Sequence, residues 1–211
     1  TTPPADQEAS PTMPDRLTPA EFQELMEPWD EKMKAIARER LATNFTRPQL
    51  QQYTAQEAAL MSAALARLIP QDEGVDLVGF LDATTGNPLG RGDRRPGMPE
   101  ELELFRQGLQ GLEEAAMQRH GRPFIELNGA EQDGILRAVR AKEVQGGAWD
   151  RVPPDLFFKQ FYRKALHGYF AHPRAWMRIG FYGASYPEGY GWLQVGEVAQ
   201  RHDRAGGWDR L

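Results

Sequence analysis

The chain has 211 residues, of which 40% are hydrophobic and 26% charged, which suits an ordinary globular protein with one sizeable core. Its net charge of -5 argues against a general nucleic-acid binder, which needs a basic field to meet phosphate. It has no cysteine, which excludes disulfides, thiolate metal sites and cysteine nucleophiles, and no apolar run approaches the ~20 residues of a membrane span.

Residues 1–16 are rich in Pro, Thr and acidic side chains and have no apolar period, so they read as a flexible leader rather than an arm that wraps a partner. The first residue is Thr1 rather than methionine, which fits a processed N-terminus. Order is expected to begin at Thr18-Pro19-Ala20-Glu21, a capping box with proline at the first helical position. Phe22, Leu25 and Met26 form one stripe behind it, and Pro28 should end or kink that helix, with Trp29 to Leu41 continuing as a second segment through Met33, Ile36 and Ala37. The same start signal recurs at Thr54 with Glu57, ahead of Leu60, Met61, Ala64, Leu65 and Leu68, and Pro70 stops that helix. Asp72, Glu73, Asp76 and Asp82 follow; they are expected to serve the N-terminus of a helix starting near Gly74, and they fail the spacing of a calcium loop.

Leu102, Phe105, Leu109, Leu112 and Ala116 alternate steps of three and four, one clean helix face. Gly108 and Gly111 weaken that helix, so close packing by a neighbour is expected to hold it. Asn128 with Glu131 is a third capping box, before Ile135, Leu136 and Val139. From Pro154 the most aromatic helix runs through Phe157, Phe158, Phe161, Tyr162, Leu166, Tyr169 and Phe170. Its apolar positions spread over more than one face, so it must lie in the core or be covered by a partner. Segments 86–99 and 180–196 read as loops, the second an aromatic, glycine-rich tail. Strict alternation is nearly absent, and the fold class is all-α.

Little reactive equipment is visible. His120, His167, His172 and His202 form no one-turn pair for a metal and are expected to be structural or solvent-facing. The stretch Gly90-Arg91-Gly92-Asp93 lacks the strand before it and the Lys-Ser/Thr after it that a phosphate loop needs. Asn44-Phe45-Thr46 fits a glycan acceptor, which matters only in a secretory host. Nucleophile-elbow and dinucleotide fingerprints are missing, so no catalytic, cofactor-binding or metal residue is assigned in this chain.

Leu68-Ile69-Pro70-Gln71-Asp72-Glu73 resembles a hallmark of the gluconate 2-dehydrogenase subunit 3 family. Gly168-Tyr169-Phe170-Ala171-His172-Pro173, followed by Gly180-Phe181-Tyr182-Gly183, is similar to that family's glycine–aromatic–proline segment and closing loop, and Phe124, Leu127 and Gln132 fall where it has a middle helix. Gly74-Val75 and Arg174-Ala175-Trp176-Met177 depart from its pattern. The resemblance implies a family-like helical domain over 53–196, preceded by a helical extension, 17–52, and followed by a tail, 197–211. It also implies a non-catalytic small subunit of a flavin-dependent sugar or polyol dehydrogenase. FAD is then expected on a large glucose–methanol–choline type partner subunit, with a cytochrome c subunit in some complexes and twin-arginine export to the periplasm.

Aromatic residues are enriched at interface centres, so Phe157, Phe161, Tyr169, Phe170, Trp176, Tyr182, Tyr186 and Trp192 are the pool from which partner contacts are expected, at least half of them being core. The competing expectation is a stand-alone carbohydrate-binding or hydrolytic periplasmic protein that uses the aromatic tail as a stacking platform.

Overall fold

All three capping boxes close, each with the side-chain oxygen accepting from the amide three residues on and the glutamate accepting in return: Thr18 with Glu21, Thr54 with Glu57, Asn128 with Glu131. Each fixes one helix start and stabilises it by about 1 kcal/mol. The structure is a computed structural model that describes residues 17–27, 29–71, 74–86 and 99–179, and among these there are eight α-helices and no strand. They are α1 (Pro19–Met26), α2 (Glu31–Thr43), α3 (Ala55–Leu68), α4 (Leu77–Thr84), α5 (Glu101–His120), α6 (Gly129–Arg140), α7 (Pro154–Phe170) and α8 (Pro173–Arg178). The chain divides into two compact units, one drawn from its two ends (Thr1–Leu41 with Pro173–Leu211) and the other spanning Ala42–His172.

In the first unit a small core gathers Leu17, Phe22, Met26, Ala37 and Trp176, with Leu25, Trp29, Leu41 and Met177 packed against it. Phe22 meets Trp29 edge-on at 5.8 Å, and both rings lie against Trp176. The Leu17 amide donates to the Met177 carbonyl at 2.7 Å, so the residue before the first cap is tied to α8. The break between α1 and α2 was expected at Pro28; α1 ends at Met26, and the Asp30 carboxylate accepts from the Met33 amide to start α2. Pro173 opens the short helix α8, as a proline at a first helical position can.

The second unit is built around α5, whose buried face carries Leu104, Phe105, Leu109, Leu112, Ala115 and Ala116. Gly108 and Gly111 lie on that face because aromatic rings occupy the space a Cβ would need: Phe157 sits over Gly108, and Trp149 over Gly111. Phe105 is edge-on to Phe161 at 5.6 Å, and Phe157 stacks on Phe161 at 5.3 Å. Each fully buried ring contributes about 2–3 kcal/mol of transfer free energy. Gly121 ends α5 in the left-handed conformation, φ 66°, which glycine adopts without cost.

Polar ties set the neighbouring elements. The Lys164 ammonium on α7 donates to the Glu101 carboxylate at 2.8 Å and to the Thr84 carbonyl at 3.2 Å, joining α7 to α5 and α4. The Phe124 amide donates to Glu113, and the buried Gln132 side chain donates to the Phe124 carbonyl, so the turn before α6 is held from both sides. No helix among the described residues is long and apolar enough to cross a membrane.

Candidate functional site

The helix expected from about Gly74 begins at Leu77, with Asp76 as its cap: the Asp76 carboxylate accepts from the Gly79 amide at 2.8 Å. Asp82 belongs to a different arrangement. It is buried on the inner side of α4 and faces the chain that enters α3. Its oxygens accept from the amides of Gln51 at 2.9 Å, Gln52 at 2.8 Å and Tyr53 at 3.3 Å, and the Arg47 guanidinium lies 3.5 Å away. Burial opposes the charge, but those three amides and Arg47 outweigh it and hold the carboxyl below the usual carboxylate range. A buried ion held by three backbone amides of its own chain is a structural fastener.

The same loop turns sharply at Asn44 and Phe45, which both have left-handed backbones, φ 50° and 60°. For phenylalanine this costs about 1–3 kcal/mol, and packing offsets it: the Phe45 ring rests on Phe80 at 5.2 Å and edge-on against His172 at 5.0 Å. The Asn44 side chain donates to the Gly74 carbonyl at 2.8 Å, so the amide of the glycan-acceptor triplet is used inside the fold. His172 is thus a core histidine, while His120 lies beside Glu131 at 3.7 Å and His167 is exposed on α7. His202 and the 87–98 glycine–arginine stretch lie outside the described residues. Among the described residues no three His, Asp or Glu side chains gather in a way that could hold a metal.

A shallow concavity of about 240 Å³ opens beside α5, lined by Glu114, Gln118, Val144, Gly147 and Trp149. That is below the ~300 Å³ at which pockets begin to enclose a small organic ligand. The Glu114 carboxylate is already engaged by the Ala148 amide and the Gln110 side chain.

The expected interface aromatics divide sharply. Phe157 and Phe161 are each 1% exposed and form the centre of the second unit, where Tyr169 is also buried. Trp176 is buried in the core of the first unit. Phe170 stands out from the end of α7 at 46% exposure. Tyr182, Tyr186 and Trp192 lie outside the described residues, together with the tail they belong to.

On α7 the outward side chains are the ones next to those named. Phe158, Tyr162 and Leu166 stand four residues apart in a row, half-buried to exposed, and the Phe158 and Tyr162 rings stack at 6.1 Å. Lys159, Arg163 and His167 form a parallel exposed row one position on. The signal was present in the sequence as an apolar pattern too wide for one helix face. Both the inward and the outward row are aromatic, so periodicity alone could not rank them.

The described parts of the hallmark segments do packing work, while Asp72, Glu73 and segment 180–183 lie outside the described residues. Ile69 is buried where Pro70 stops α3, and Gly168 lets the Phe80 ring lie against α7, since a Cβ there would meet that ring. These features define an all-helical protein whose distinctive residues maintain its own fold. The chain belongs to the gluconate 2-dehydrogenase subunit 3 family, whose model matches residues 55–183, well over half of its length. No curated protein and no solved structure matches it.

Proposed function

We propose that this chain is the non-catalytic small subunit of a flavin-dependent sugar or polyol dehydrogenase. In this reading the catalytic partner is a glucose–methanol–choline type polypeptide that carries FAD and performs the hydride chemistry. The small subunit holds that partner in its folded form and accompanies it through twin-arginine export to the periplasm. Family membership over 55–183 is the observation that carries the proposal, because the family is named for the third subunit of gluconate 2-dehydrogenase.

The use of the side chains supports the same reading. Asp82 and Glu114, carboxylates that could have served acid–base chemistry, are engaged by backbone amides within the fold. In this reading the hard chemistry belongs to a cofactor on another polypeptide, with this chain supplying support. A subunit that binds only the folded partner stabilises it by RT ln(1 + [L]/Kd), about 2.7 kcal/mol at a hundredfold excess over Kd. That would make it chaperone-like without any active site.

The test is co-purification. The full chain, tagged and produced with the dehydrogenase polypeptide encoded beside it, is expected to elute as a hetero-oligomer with flavin absorbance, while the chain alone is colourless. Separate elution of the two polypeptides would refute the proposal.

A further inference from the structure

Resting on the accessory-subunit reading, we propose that the outer face of α7 docks the catalytic subunit, and that it takes an apolar groove on that partner rimmed by carboxylates. Phe158, Tyr162 and Leu166 recur every four residues, which is the ridge that one helix offers to a complementary groove. The stacked Phe158 and Tyr162 rings, at 6.1 Å and 26° between planes, form a rigid apolar edge of the kind that anchors interfaces.

The cations beside that ridge point to the chemistry of the occupant. Asp155, the sole carboxylate of α7, is paired with Lys142 at 2.9 Å, and Lys164 is paired with Glu101 at 2.8 Å. Lys159 and Arg163 are exposed and have no ion pair among the described residues. Two unneutralised cations one turn apart, on a chain of net charge -5, call for negative charge from outside. A second copy of this chain fits poorly, because two such faces would set Lys159 and Arg163 against their own counterparts. An anionic membrane fits poorly too: Phe158 and Leu166 are half-covered by protein and cannot sink into lipid, and two fixed cations attract anionic lipid only weakly.

Binding of the full chain to the neighbouring dehydrogenase polypeptide is measured for the wild type, Tyr162→Asp, the double variant Lys159→Glu/Arg163→Glu, and Met117→Asp. Tyr162 is 37% exposed and Met117 49%, so these variants are expected to fold, which circular dichroism and the urea midpoint check. Tyr162→Asp is expected to weaken binding by about 30-fold or more. The charge reversal is expected to weaken it by about tenfold and to flatten its salt dependence. Met117→Asp, on α5, is expected to stay within about twofold of wild type.

Failure of the wild type to bind removes the accessory-subunit reading itself. Wild-type affinity in both α7 variants, with the wild type binding, overturns the docking face alone. The face is equally overturned if Tyr162→Asp abolishes self-association of the isolated chain, or its sedimentation with phosphatidylglycerol vesicles, while leaving dehydrogenase binding intact.

Discussion

Asp82 is a carboxylate of α4 that does its work on a segment thirty residues earlier in the chain, where the amides of Gln51, Gln52 and Tyr53 converge on it. Asp82→Ala removes the acceptor and leaves those donors and Arg47 unanswered, and is expected to cost about 3 kcal/mol in urea unfolding. Asp82→Asn keeps one acceptor oxygen but aims an amide donor at other donors, and is expected to cost about 2 kcal/mol. The folded carboxyl titrates below its unfolded value of about 3.9, so its contribution is complete above that pH and is lost as pH falls through the folded value. Urea midpoints compared from neutral pH down to about pH 3 should therefore show the gap between wild type and Asp82→Asn narrowing on acidification. A gap that stays constant would mean the carboxylate is not the group that matters.

At the scale of elements, two glycines of opposite meaning make the packing testable. Gly108→Ala improves helix propensity by about 1 kcal/mol, yet it places a methyl where the Phe157 ring sits, and is expected to destabilise by about 2 kcal/mol net. Gly134→Ala on α6 meets nothing within 4 Å and is expected to stabilise by about 0.5–1 kcal/mol. Equal signs in thermal or urea unfolding would contradict the packing described. Helix starts were legible in the residues because a capping box is local chemistry: Thr18, Thr54 and Asn128 each satisfy amides within three positions. The neighbour needed by Gly108 was legible too, as an intrinsic weakness that something else had to offset. Helix α8 and the grouping of segment 173–179 with the N-terminal helices were not, since both depend on contacts such as Leu17 with Met177 that no local pattern encodes.

For the whole molecule, the all-α class follows from caps and three-four spacing, and the family from three short segments in order. The proposed docking face was legible only as an excess of aromatic positions on α7. Which ring faces inward is decided by α5, whose glycine notch at Gly108 receives Phe157 and thereby turns Phe158 and Tyr162 outward. An accessory subunit working as proposed should matter through its partner's yield and flavin content. The most direct measurement is sugar-dependent dye reduction by the dehydrogenase polypeptide produced with and without this chain. Loss of this chain is expected to lower flavin loading and activity together by about tenfold or more, in line with the linkage above. Undiminished flavin loading and activity without it, or dye reduction by this chain alone, would contradict the account.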